Sequence, residues 1–196
     1  LHLGTMTMLE TLDCGIVRCE WLAHLRGLTT LKNLMIHHEA LTDEQFIHFR
    51  GLTALESLRM VGRSRVTDTG LAHLQDMTAL RSLRLKGSDW TGTGLVCLRN
   101  MSALESLDLS WCDNLTKLTL PVLSSLETLN LGSCHATNEG LECLRNMPVL
   151  RSLVLRMNAG LTDTGLQHLR GLTGLRSLDL AGCTGLTDTG LQHLGG

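Results

Sequence analysis

Eight positions in this chain hold side chains that bind metals or carry protons, and they recur at one place. His2, His24, His48, His73, His168 and His193 each stand directly before an apolar Leu or Phe, and Cys97 and Cys143 take the same place in two further segments. Imidazole and thiolate together are the donor set of zinc, which needs its ligand atoms about 2.0–2.3 Å away. Side chains in one column of stacked helices start roughly 8–10 Å apart and point the same way. The column is therefore expected to hold no shared ion. Its expected use is structural, because a polar group near a helix C-terminus can bond the free carbonyls and, when protonated, meets the negative end of the helix dipole.

Other chemical words fall short. His37-His38-Glu39 does not complete HExxH and reads as an exposed loop. Gly92-Thr93-Gly94 lacks the third glycine of a dinucleotide-binding turn, and neither G-x-S-x-G nor a P-loop occurs. The expectation is no enzyme: no catalytic residue, metal or cofactor.

The elements that would position these groups come from a repeat. The pattern LxxLxL occurs eight times, beginning at Leu9, Leu31, Leu55, Leu80, Leu104, Leu126, Leu150 and Leu175, with spacings of 22, 24, 25, 24, 22, 24 and 25 residues. So regular a period marks a solenoid. Within each copy the alternation x-L-x-L has the period of a short strand, and stacked copies would pair in parallel. The second half, as in Leu166, Leu169 and Leu172, places apolar residues about every three positions, as a short helix on the same core would. Thr-Asp at 42–43, 67–68, 162–163 and 187–188 offers an N-cap oxygen and an acidic first turn. Thr42 with Gln45 also has capping-box spacing. Around Lys117-Leu118-Thr119-Leu120-Pro121 this word is missing, and a tighter, non-helical segment is expected.

Composition agrees with a tiled core: of 196 residues 43% are hydrophobic but only 3% aromatic, with no Tyr. The net charge of −2 gives no global attraction to nucleic acid or an anionic membrane. No apolar run nears the roughly 18 residues of a spanning helix. Seven cysteines, an odd number without a CxxC pair, point to free buried thiols and an intracellular, cytoplasmic setting. The sequons Asn100-Met-Ser and Asn114-Leu-Thr point the other way, but so short a pattern often arises by chance.

The word Leu178-x-Leu180-x-x-Cys183-x-x-Leu186-Thr187-Asp188-x-Gly190-Leu191-x-x-Leu194 resembles the leucine-rich repeat family, in the cysteine-containing type found in F-box protein arrays. The resemblance covers the whole chain. It implies an α/β solenoid of about eight repeats, curved, with a parallel sheet on the concave side and short helices on the convex side. It also implies a non-catalytic module that binds a protein or peptide. Alternatives it leaves open are the substrate-recognition part of an F-box-type ubiquitin ligase and a structural subunit of a large assembly. The family's ninth-position Cys is present as Cys112, Cys134 and Cys183, is Asn158 in the seventh copy, and is replaced by Glu39, Arg63 and Ser88 elsewhere. Residues 1–196 read as one domain. Leu1-His2-Leu3 matches the helix end of a preceding repeat and no polar capping unit is visible, so a longer array is expected.

In such a tile, specificity belongs to solvent-facing letters that vary. The letter between the last two apolar positions reads Asp13, Met35, Arg59, Arg84, Asp108, Asn130, Val154, Asp179, beside a small-polar stripe running from Thr11 to Ser177. Arg59, Arg63, Arg65, Arg81, Arg84 and Lys86 make a basic zone, followed by acidic Glu105, Asp108, Asp113 and Glu127. Trp111 stands at that junction and Met157 in the equivalent slot two copies on. Exposed Trp, Met and Arg are interface anchors. The competing reading is that the charges merely pair across the sheet and Trp111 packs under a loop. The expected contact set is Met35, Arg59, Arg84, Asp108, Trp111, Asn130, Val154, Met157 and Asp179. Nucleic acid is disfavoured because the face lacks interleaved aromatics. The oligomeric state stays open.

Overall fold

Each LxxLxL word becomes a strand. In the computed structural model, which describes residues 5–16, 19–38, 40–115 and 118–194, the strands are β1 (Thr11–Ile16), β2 (Asn33–His37), β3 (Ser57–Val61), β4 (Ser82–Leu85), β5 (Ser106–Asp108), β6 (Thr128–Asn130), β7 (Ser152–Val154) and β8 (Ser177–Asp179). They form one open sheet in the order β1 to β8, every neighbouring pair parallel. The register is the one the repeat demands, with Leu34, Leu58, Leu83, Leu107, Leu129 and Leu153 side by side. All six are buried, and so is the column one turn earlier from Leu31 to Leu150. Each fully buried Leu contributes about 1.5–3 kcal/mol. The columns thin at the ends, where Leu9, Leu12, Leu175, Leu178 and Leu180 are only partly buried.

The second halves are helical but mostly not α. Single α turns, α1 (Asp43–Phe46), α2 (Asp68–Leu71), α3 (Asp163–Leu166) and α4 (Asp188–Leu191), each run into a three-residue 3₁₀ turn. Cys19–Gly27, Gly92–Asn100 and Glu139–Asn146 are 3₁₀ throughout. Packed α-helices need 8–10 Å between axes, whereas strands repeat at about 4.8 Å. The slimmer 3₁₀ form, with three residues per turn, fits a stack at the narrower pitch, and the apolar spacing of three is its own period. Between β5 and β6 no helix occurs among the described residues, as the missing cap word led one to expect; Lys117 lies outside them.

The Thr-Asp word has a second use that its position in the chain does not reveal. Asp43 accepts from the backbone N–H and hydroxyl of Thr67 at 2.8 and 2.6 Å, and Asp163 does the same for Thr187 at 2.8 and 2.6 Å. Asp68 takes the N–H of Thr91 at 2.8 Å and the hydroxyls of Thr91 and Thr93 at 2.6 and 2.7 Å. Asn138 accepts from Thr162 N–H at 3.0 Å and donates to its hydroxyl at 2.8 Å. The acidic letter thus staples one repeat to the next. The glycine three residues past each recipient Thr gives room, because a Cβ on Gly70, Gly94, Gly165 or Gly190 would collide with the staple's side-chain oxygen. The expected caps are formed only in part: Thr67 and Thr187 accept from Thr69 and Thr189 N–H, Gln45 Oε1 accepts from Thr42 N–H at 2.8 Å, and Thr162 caps nothing with its hydroxyl.

Inside, the ninth-position letters tie the sheet to its loops. The thiols of Cys134 and Cys183 donate to the carbonyls of Leu109 and Leu155 at 3.0 and 3.1 Å, and Asn158 spans several groups at once. Two expectations are corrected here. Arg63 points out, its side chain 84% exposed, and Ser64 turns in instead to bond Ser88 at 2.7 Å. Gly62 makes that one-residue shift possible: at φ 137° it passes the His38 carbonyl so closely that no Cβ fits. His38 itself is buried, not on an exposed loop, and its Nδ1 has no partner. Glu39 lies outside the described residues.

Candidate functional site

The variable letters do form one column across the sheet: Asp13, Met35, Arg59, Arg84, Asp108, Asn130, Val154 and Asp179 are neighbours in that order. Parallel pairing in a single register puts them on the face opposite the Leu columns. Arg59 is exposed, and Met35, Arg84, Asn130, Val154 and Asp179 are half-buried. The small letters from Thr11 to Ser177 form the adjoining column and leave the column approachable.

Asp108 departs from the expectation of a solvent-facing letter, being 7% exposed. Its Oδ2 meets Arg84 Nε at 2.8 Å and Lys86 Nζ at 3.6 Å, and its Oδ1 accepts from the N–H and hydroxyl of Ser110 at 3.1 and 2.7 Å. Asn130 and Asp179 likewise accept, at 3.0 Å each, from the N–H two residues on, in Gly132 and Ala181. These three letters therefore shape the chain as it leaves the strand. Three more pairs form as the competing reading had it: Arg81 with Glu105 at 2.6 Å, Arg151 with Glu127 at 3.3 Å, Arg63 with Asp113 at 3.4 Å. Such exposed pairs are worth about 0.2–1 kcal/mol each. Among the described residues no ion pair includes Arg59.

Trp111 does not pack under a loop; it is 63% exposed, and Met157 is 58% exposed. Both have left-handed backbone, φ 65° and 59°. The second residue beyond the last strand Leu takes this conformation in five successive repeats, as Gly87, Trp111, Ser133, Met157 and Gly182. The cause is the stack: the N–H groups of Gly87, Trp111, Ser133 and Met157 bond the carbonyls of Ser110, Gly132, Arg156 and Ala181 in the next repeat. For a bulky L-residue the left-handed region costs roughly 1–2 kcal/mol, which Gly87 and Gly182 avoid. Sequence reasoning found the two side chains but not the strain, since φ is imposed by a neighbouring repeat.

Of the histidine column, His24, His48, His73, His168 and His193 lie in the last turn of their helices. Among the described residues no three His, Cys, Asp or Glu groups come together in a way that could hold an ion. The carbonyl-bonding role is met by Cys143, which donates to Gly140 O at 3.2 Å, whereas His193 Nδ1 accepts from Arg170 Nη2 at 2.7 Å and Nδ1 of His48 and of His168 has no partner. His2 lies outside the described residues. Burial pushes the thiols of Cys97 and Cys112 up to about 12 and that of Cys134 up to about 11. They stay protonated at neutral pH and are poor nucleophiles and poor ligands.

Comparison with known proteins agrees with this architecture. Residues 53–143 match a family model described as "At1g61320/AtMIF1, LRR domain", and residues 146–169 and 172–195 match one described as "Leucine Rich repeat". No curated protein matches the sequence. Among solved structures, PEPR1-AtPEP1 is similar with a TM-score of 0.62 at 15% identity, covering 91% of this chain and 25% of that one. The TLR13-ssRNA13 complex is similar with a TM-score of 0.56 at 17% identity, covering 99% of this chain and 32% of that one. The chain thus spans a quarter to a third of those chains, and at such identity the likeness is one of fold.

Proposed function

From the premise that this chain belongs to the leucine-rich repeat proteins, we propose that it is a non-catalytic binding module whose strand face receives a protein or peptide. The observation that carries the reading is the in-register column from Asp13 to Asp179, varied in letter on a sheet whose buried columns are uniformly apolar. Stacked parallel strands hold that column rigid, so little ordering entropy is lost on binding. PEPR1-AtPEP1 and the TLR13-ssRNA13 complex support the reading as relatives of the same fold solved with a second molecule. A reducing compartment fits the same picture, because the six cysteines whose surroundings are described are free. The test is quantitative affinity capture with the parent chain and a Met35→Lys, Arg59→Glu, Val154→Lys variant. These side chains reach solvent without bonding the fold, so melting should be unchanged while the partners specific to the parent are lost. Retention of the same partners by the variant overturns the strand face as the binding surface.

A further inference from the structure

Trp111 is one wall of a cleft of about 470 Å³ at the end of the strands, lined also by Gly62, Arg63, Lys86, Gly87 and Asp113. Two of these are glycines, so the floor carries no side chain; a Cβ on Gly87 would meet nothing nearer than 3.6 Å. Trp111 offers an exposed apolar plane where the fold is equally served by Gly87 and Gly182, and it does so in a backbone conformation those glycines adopt without strain.

The charge around the cleft is one-sided in what it presents. Among its lining residues Arg63 and Lys86 stand against Asp113, a surplus of one positive charge, and Arg84 shares Asp108 with Lys86 beside it. Asp108 is buried beneath Arg84 and Lys86, which are each 35% exposed, so it acts as an anchor that holds the cations in place rather than as a surface anion. The pair between Arg63 and Asp113 is long, at 3.4 Å, and both groups are mostly in solvent, so an incoming carboxylate can replace it.

We infer that this cleft binds an acidic peptide segment, laying an apolar side chain on Trp111 while a neighbouring carboxylate meets Arg63 and Lys86. The inference rests on the strand-face reading above and names the chemistry of its partner. Single-stranded RNA would also use cations and an aromatic plane, but it stacks successive bases on successive aromatics. Here Trp111 is the one aromatic among the described residues that is largely exposed, and the row continues as Ser133, Met157 and Gly182.

The test selects phage-displayed random dodecapeptides on the whole chain, synthesises the enriched peptides, and titrates them beside a 13-nucleotide oligouridine. Trp90 is fully buried and Trp21 partly so, so a blue shift of tryptophan emission reports on Trp111. Enriched peptides should carry Asp or Glu next to an aliphatic or aromatic residue. Their affinity should fall at least tenfold in Trp111→Gly and in Arg63→Glu, with melting of both variants within a few degrees of the parent. Neutral or basic winners, equal binding to both variants, or Trp111-dependent binding of the oligouridine instead overturns the inference. If peptides are selected but respond only to the Met35, Arg59 and Val154 substitutions, the cleft falls and the strand-face reading stands. If no peptide responds to either set, both fall.

Discussion

Asn158 is wholly buried and uses both ends of its amide. Its Oδ1 accepts from the N–H groups of Cys134 and Ala136 at 3.2 and 2.9 Å, and its Nδ2 donates to the carbonyls of Leu131 and Leu155 at 2.9 and 2.7 Å. At the same place Cys183 offers one thiol to one carbonyl, at 3.1 Å. A buried backbone group left without its partner costs about 1–3 kcal/mol. Asn158→Ala should therefore lower stability by about 3 kcal/mol in a urea titration, and Asn158→Cys by clearly less; equal losses would show that the amide matters only by its volume. Trp111 is the opposite kind of residue, since the fold would accept glycine there and the side chain is spent on solvent.

The stapled turn is the unit one level up. Asp163 reaches out of α3 to hold Thr187 at the start of α4, and Gly190 clears the space it needs. Asp163→Ala should loosen the last repeat alone: amide exchange at Thr187 and Gly190 should quicken while β4 and β5 keep their protection, as nearest-neighbour coupling in a solenoid requires. A uniform loss of protection across all repeats would contradict a local staple. The same bonds set a pH window. The Thr187 hydroxyl and then its N–H hold the Asp163 carboxyl below its ordinary range. A carboxyl depressed on folding contributes stability above its unfolded value, near 3.9, and loses it as pH falls through the lower folded value. This staple should thus survive mild acid and fail only as pH falls below the ordinary carboxylate range, seen as acid-induced exchange at Thr187 and Gly190.

Across the whole molecule, stability is a sum of repeats and of the contacts between successive ones. The middle columns are closed on both sides, whereas Leu12 at one end and Leu175, Leu178 and Leu180 at the other are only partly covered. Native-state exchange should run inward, with Leu178 and Leu12 amides opening first and Leu83 and Leu107 last. A single common rate for all strands would mean that the array opens as one unit.

The eight-strand stack, its register and its buried Leu columns were legible in the chain because each repeat contacts its neighbours in the same way, so spacing along the sequence translates directly into position across the sheet. The non-helical segment before β6 was legible for the same reason. What only the tertiary structure decided depends on the neighbouring repeat rather than on the word itself. Asp163 reads locally as a helix-start residue, yet its bonds run forward to Thr187. Ser64 and not Arg63 faces inward because Gly62 passes under the His38 carbonyl. Asp108 is an anchor because Arg84 and Lys86 come from the strand beside it. Trp111 stands in a left-handed turn because its N–H is held by Gly132, one repeat away. Periodicity fixes where a residue sits, and contacts some 22–25 residues away along the chain decide what it does there.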